Sequence, residues 1–273
     1  MPELPEVETV KETLKRKILN KRIVGVNIYH EKIIEFPSVK EFQKQIINQQ
    51  FIDIKRRGKW LMFELNDYYL LSHLRMEGKY NIKKLNEQLD KHEHVVFVLD
   101  SNQELRYNDV RKFGKMHLIT KDDVYDQVPL KTLGLEPTDK SLTVKYLKDK
   151  YKSKSLPIKT VLLDQQIIVG IGNIYANEIL FLSKINPLKP SKKITNQELQ
   201  LIIDNTNLVL KSAIEAGGTT IRSYTSSEGI HGRFQHKLLV HGRVGQECFD
   251  CKTIIEKIKV NGRGTYYCPT CQK

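Results

Sequence analysis

Apolar positions near the start of the chain recur at helical spacing. Val7, Val10, Leu14 and Ile18 lie three or four residues apart, which predicts one amphipathic helix with a single buried face. Pro5 falls early in it, where a missing amide hydrogen costs least. The period changes between Arg22 and Thr120. Short runs rich in β-branched and aromatic residues occupy 23–29, 51–54, 60–65, 68–74, 95–99 and 116–119, with turn signals at Asn66-Asp67 and Ser101-Asn102. Only 39–47 interrupts them with a weak helical pattern. So many closely spaced strands predict a β-sandwich or barrel.

Residues 125–141 contain Pro129, Gly134 and Pro137 and read as a connection to a second, helical part. Helices are predicted over 142–150, 173–182 and 196–216, the last stopped by Gly217-Gly218. The polar stretch 217–235 lacks periodicity and reads as a long loop, a length often tied to function. The expected organisation is α+β: a domain over 1–130, a linker over 131–145, a helical domain over 146–235 and a small C-terminal hairpin over 236–273.

At 273 residues the chain is long enough for two cores, so neither disulfides nor association is needed for folding, and a monomer is expected. Mean hydropathy is -0.44, and the longest uncharged stretch, 165–177, falls short of the roughly 20 residues that span a bilayer. A membrane protein is excluded at this level. Glu3, Glu6 and Glu8 replace the apolar core of a secretory signal, which makes the cytoplasm the expected address. The formal net charge is +13, from 45 basic and 32 acidic residues. It is unevenly spread: 23 basic against 20 acidic over 1–130, 13 against 8 over 131–218, and 9 against 4 over 219–273. A basic field of this kind attracts nucleic acid by releasing counterions from phosphates, although a solvated surface has the same composition.

The four cysteines all lie near the C-terminus, as Cys248-x-x-Cys251 and Cys268-x-x-Cys271, with sixteen residues between the pairs. This is zinc-ribbon spacing, in which two turns direct four thiolates at one ion. A closed tetrahedral shell leaves no position for substrate water, so one structural Zn2+ is expected; disulfides conflict with the expected compartment. Between the pairs, Asn261-Gly262-Arg263-Gly264 is a hairpin signature that places Arg263 at the tip, well placed for a phosphate.

At the other end stands Met1-Pro2-Glu3-Leu4-Pro5-Glu6. A small second residue permits removal of the initiator methionine, leaving Pro2 as a secondary amine. Terminal amines have ordinary pKa values near 7.7 to 8.0, so part of the population is neutral and nucleophilic near pH 7. Such an amine forms an iminium with an aldehyde carbon, and Glu3 can move the protons if its pocket raises its pKa. A plain helix lead-in explains the same residues.

Taken together, the start Pro2-Glu3-Leu4-Pro5-Glu6-Val7, the turn Gly170-Ile171-Gly172-Asn173-Ile174-Tyr175 and the four-cysteine ribbon resemble the bacterial formamidopyrimidine-DNA glycosylases, which remove oxidised purines from DNA. The resemblance implies an N-terminal helix and β-sandwich, a helix-two-turn-helix domain and a zinc hairpin, with damaged duplex DNA as partner. It implies that Pro2 attacks C1′ of the damaged nucleotide, that Glu3 protonates the sugar ring oxygen, and that Lys59 stands near the lesion phosphate. It further implies phosphate or backbone contacts for Asn173, Arg263 and His73, a DNA-binding role for His92, positions near the DNA for Lys154 and Lys159, and a void-filling trio of Met76, Arg111 and Phe113. Glu77 and Thr219 are implied as neighbours of the extruded base, and the 217–235 loop as the segment that closes over it. His241 departs from the family, which more often has tyrosine there. Outside the resemblance, Met76 and Phe113 read as core residues, Arg111 as a surface ion pair, and His92 as a solvated loop residue. Two other readings stand beside this one: an endonuclease VIII-like enzyme for oxidised pyrimidines, and a non-catalytic zinc-ribbon DNA-binding protein.

Overall fold

The computed structural model describes residues 1–219 and 232–273; most of the expected 217–235 loop lies outside the described residues. The chain forms two compact units. The first comprises Met1–Lys131 and takes in Thr219, and the second comprises Thr132–Gly218 and Arg233–Lys273.

In the first unit, helix α1 (Leu4–Ile18) precedes two sheets. Strands β2 (Ile34–Phe36), β3 (Asp53–Arg57), β4 (Trp60–Glu64), β5 (Tyr68–His73) and β9 (Lys115–Thr120) form one sheet in the order β2-β9-β5-β4-β3. Strands β1 (Ile23–Ile28), β6 (Lys79–Lys84), β7 (Glu93–Leu99) and β8 (Gln103–Asn108) form the other in the order β1-β7-β8-β6. All pairings are antiparallel except β2 with β9. Leu14 of α1, Phe63 and Leu70 of the first sheet, and Phe97 and Leu105 of the second share one apolar core, so the unit is the expected sandwich with α1 packed into it. Helix α2 (Val39–Ile46) is the short interruption, opened by a capping box between Ser38 and Glu41.

The short β2 is unexpected, and three further strands differ from expectation for physical reasons. β3 runs over Asp53–Arg57 rather than 51–54, because its polar side chains are held by ion pairs: Lys15 with Asp53, Lys55 with Glu64 and Arg56 with Glu8. β6 is an edge strand rich in lysine, which hides its alternation. β8 carries Arg106 at 1% exposure. Its charge is balanced by Glu93 at 2.7 Å and Glu104 at 2.5 Å, a pairing that a buried guanidinium requires and that no hydropathy pattern reveals.

The second unit holds α3 (Val144–Tyr151), the short α4 (Ile158–Leu162), α5 (Asn173–Leu182) and α6 (Asn196–Glu215), followed by the hairpin of β10 (Glu256–Val260) and β11 (Arg263–Tyr267). α3 starts two residues later than expected, where Thr143 Oγ1 accepts the N–H of Tyr146. α6 ends at Glu215, and Gly217 and Gly218 follow with φ of 73° and 79°. Residues 132–145 of the expected linker belong to this unit. The N–H groups of Gly134 and Leu135 donate to the carbonyls of Gln165 and Ile167. A Cβ at Gly134 would stand 2.3 Å from the Ile167 carbonyl oxygen, so only glycine fits. α5 is buried nearly all round, and its Phe181 joins Val240, Ile255, Cys248 and Cys268 in the core beneath the hairpin. Among the described residues no helix is long and apolar enough to cross a membrane.

Candidate active site

The first turn of α1 organises the start of the chain. Pro2 is buried, and Glu3 and Glu6 are each 2% exposed. Glu6 Oε2 accepts the Glu3 N–H at 2.8 Å, while Oε1 accepts the N–H of Thr219 at 2.8 Å and its hydroxyl at 3.1 Å. Three donors thus replace the water that a buried carboxylate loses, and the positive end of α1 favours the negative charge. The link between Glu6 and Thr219 is absent from the sequence reading. The Glu-x-x-Glu spacing signals only the capping box between Glu3 and Glu6.

The terminal amine of Met1 sits among Glu3, Glu6, Lys59 and Glu77. Burial lowers its pKa from the ordinary value by disfavouring the ammonium; Lys59 pushes the same way, and the three carboxylates pull against them. Lys59 and Glu77, which the resemblance groups with Pro2 and Glu3, are thus both near the start of the chain. Lys59, at 5% exposure, is set there by a two-residue turn between β3 and β4 in which Gly58 has φ 56°, a positive value at the position where glycine is favoured. Arg56 ties that turn to α1, donating to the Gly58 carbonyl at 3.0 Å and to Glu8 at 2.7 Å.

His73 ends β5 and is 9% exposed. Its Nδ1 accepts the Arg75 N–H at 3.0 Å, which leaves the ring proton on Nε2. Burial, aided by the charges of Arg75 and Lys59, lowers its pKa to about 3, so the ring is a neutral donor at any working pH. Met76, Arg111 and Phe113 are exposed, not core. The Arg111 guanidinium lies 4.7 Å from the centre of the Phe113 ring. His92 is half-buried, its N–H bonded to Asp90 and its carbonyl to the Asp109 N–H.

In the second unit, Asn173 opens α5 and donates to the Gly264 carbonyl at 3.1 Å. Lys159 is 1% exposed and donates to the same carbonyl at 3.0 Å and to Thr265 Oγ1 at 2.7 Å. It holds the hairpin in place and does not present its ammonium to solvent. Lys154 is half-buried, 3.8 Å from Asp164. Arg263 corrects the expectation of a tip residue. Val260 pairs directly with Arg263, so the turn is Asn261-Gly262, with φ of 45° and 78°, and exposed Arg263 opens β11.

The four cysteine sulfurs lie within 4.8 Å of one another, with Cys248 and Cys271 at 4.0 Å and Cys251 and Cys268 at 3.4 Å. Tetrahedral Zn–S bonds of about 2.3 Å require S···S separations of about 3.8 Å, so the set fits one structural zinc ion. A buried glutamate secures the chain leading into it: Glu178 of α5 accepts the N–H groups of Leu239, Val240 and His241 at 2.7, 3.1 and 2.8 Å. His241 in turn lies 2.6 Å from Asn177 and edge-on to Tyr266. Burial, with the charges of Lys159 and Lys257, lowers its pKa to about 4.

Three family models cover nearly the whole chain. Residues 1–116 match the formamidopyrimidine-DNA glycosylase N-terminal domain, 133–225 its H2TH domain, and 245–273 the zinc finger found in FPG and IleRS. The chain belongs to the formamidopyrimidine-DNA glycosylase family. The formamidopyrimidine-DNA glycosylase of Bacillus anthracis is 45% identical over 273 residues, covering 100% of this chain and 99% of that protein. That of Shouchella clausii is 47% identical with the same coverage. The Lactococcus lactis Fpg in complex with DNA containing an abasic site is similar with a TM-score of 0.92 and 38% identity, covering 99% of each chain. Another Lactococcus lactis complex, with DNA containing an oxidised pyrimidine, gives a TM-score of 0.92 and 37% identity, covering all of both chains. The chain is thus a DNA glycosylase with a C-terminal zinc finger and one structural zinc.

Proposed function

We propose that this glycosylase excises oxidised purines, 8-oxoguanine and formamidopyrimidines, from duplex DNA and then nicks the strand, using Pro2 as nucleophile once Met1 has been removed. The observation that carries the reading is the burial of Pro2 next to the terminal amine of Met1, which lies near Glu3, Lys59 and Glu77 and whose ammonium form desolvation disfavours. A neutral amine displaces the damaged base at C1′ as the glycosidic bond breaks. Glu3 protonates the ring oxygen, the C–O bond opens, the nitrogen loses its proton, and an iminium joins Pro2 to the sugar. Loss of a C2′ proton then expels the 3′ phosphate, and δ-elimination removes the 5′ phosphate.

Lys59 and the Nε2–H of His73 serve the phosphates in the first unit, with His92 beside them. Asn173, Arg263 and Lys154 serve them in the second, and Lys159 acts through the hairpin it holds. Met76, Arg111 and Phe113 fill the void left by the extruded base, offsetting part of the few kcal/mol that extrusion costs. Glu77 and Thr219 face the base, and zinc keeps Arg263 in place without entering the chemistry. The Lactococcus lactis complex with oxidised-pyrimidine DNA favours a second reading, in which oxidised pyrimidines are the preferred substrates. Parallel single-turnover assays decide. The proposal expects faster release of 8-oxoguanine opposite cytosine than of an oxidised pyrimidine; the reverse order would replace it with the second reading.

A further inference from the structure

Tyr107 lies near the end of β8 with its ring fully buried and its hydroxyl in a space that two glycines keep open. A Cβ on Gly114 would stand 1.7 Å from Tyr107 Oη, and a Cβ on Gly78 would stand 2.2 Å from the same atom. No side chain fits at either place. Gly78 closes the segment that presents Met76, its N–H bonded to the Leu74 carbonyl at 2.9 Å. Gly114 closes the segment that presents Arg111 and Phe113. One phenol therefore touches both segments that carry the trio.

Asp109, with no exposed surface, orders the second segment. Its Oδ1 accepts the Arg111 N–H at 3.0 Å, and its Oδ2 accepts the N–H groups of Phe113 and Gly114 at 2.9 Å each and the Tyr107 hydroxyl at 3.3 Å. Its main chain is fixed as well, the N–H on the His92 carbonyl and the carbonyl on His94 Nε2, both at 2.9 Å. The Tyr107 ring meets Tyr80 edge-on at 5.2 Å, and the Tyr80 hydroxyl donates to Ser72 Oγ at 2.7 Å, so the post reaches from one sheet to the other.

We infer that Asp109 and Tyr107 are positioning residues for base extrusion: a carboxylate and a phenol that hold Met76, Arg111 and Phe113 in one arrangement before DNA arrives. This rests on the proposed void-filling role of the trio. Exposed side chains with a fixed main chain lose less freedom when they enter a base stack, so the ordering cost is met in the free protein. Asp109→Asn would turn an NH2 group toward N–H donors and loosen the segment.

The test compares wild type, Asp109→Asn, the milder Tyr107→Phe, and Arg111→Ala as reference, in single-turnover excision of 8-oxoguanine opposite each of the four bases. Cleavage of a preformed abasic duplex is measured beside it, because that substrate has no base to extrude. Asp109→Asn is expected to slow excision about tenfold, the kinetic equivalent of about one lost hydrogen bond, and to weaken the preference for cytosine. Tyr107→Phe is expected to do the same by about threefold, with abasic cleavage by both variants within about twofold of wild type. If Arg111→Ala is as fast as wild type, the void-filling role fails and the inference with it. If Arg111→Ala is slow while both variants match wild type, the inference alone is overturned. Equal slowing of excision and abasic cleavage by both variants would mean a purely structural role, which also overturns it.

Discussion

Thr219 donates both its N–H and its hydroxyl to one carboxylate oxygen of Glu6, while the other oxygen accepts the N–H of Glu3. A single buried carboxylate thus ties the proposed proton donor to the residue that leads into 220–231. Glu6→Gln replaces one acceptor oxygen with a donor and leaves at least one buried N–H unpaired. Each such group costs about 1–3 kcal/mol, so single-turnover excision should fall roughly 10- to 100-fold. Duplex affinity should stay within about threefold, since Glu6 faces no phosphate in this account. Excision at the wild-type rate would show that the tie has no catalytic consequence.

Arg263 opens β11 beside a two-residue turn and is exposed. Arg263→Ala is expected to weaken binding of all duplexes alike and to reduce the slope of log K against log salt by about one. An unchanged slope in a salt titration would remove Arg263 from the phosphate contacts.

Zinc holds the hairpin that carries Arg263. Cys268→Ser, or removal of the metal with a chelator, should abolish duplex binding while the first unit keeps its unfolding transition, because its core contains none of the ligands. Calorimetry and a binding assay on the same sample check this. Retained binding would separate the hairpin from DNA recognition.

His73 supplies a pH signature. Its pKa is lowered to about 3 in the folded chain, whereas an unfolded histidine titrates near 6.5, so below pH 6.5 the unfolded state binds more protons. Stability should therefore be lost as pH falls from 6.5 toward 3, by about 1.4 kcal/mol per unit for this residue. The stability that His73→Asn retains should fall less steeply over that range in urea denaturation. A slope identical to wild type would contradict a buried neutral His73.

Much of this was legible in the sequence where chemistry and spacing coincide. The cysteine pairs, the periodic face of α1, the bounds of α5 and the glycine stop of α6 are local patterns that the fold preserves. What escaped depends on partners far along the chain. Arg106 makes β8 look polar until Glu93 and Glu104 are placed beside it, and Glu6 meets Thr219 only after 213 positions. Glu178 reads as a stray charge in an apolar helix until the three N–H groups of 239–241 converge on it. The resemblance gives Lys159 as a lysine near the DNA, and its burial against Gly264 and Thr265 of the hairpin is a placement that its charge does not reveal. The turn Asn261-Gly262 was recognised, but its register, which moves Arg263 from tip to strand, is fixed only by the pairing of Val260 with Arg263.

The central claim is that the amine at the start of the chain attacks the sugar of a damaged nucleotide. Borohydride reduction during reaction with an 8-oxoguanine duplex, followed by peptide mass spectrometry, tests it most directly. The account predicts protein lacking Met1, a stable protein–DNA adduct mapped to the nitrogen of Pro2, and no adduct from Pro2→Gly at an equal time of reaction. An adduct mapped to a lysine, or base release by zinc-loaded protein with no trapped species, would contradict it.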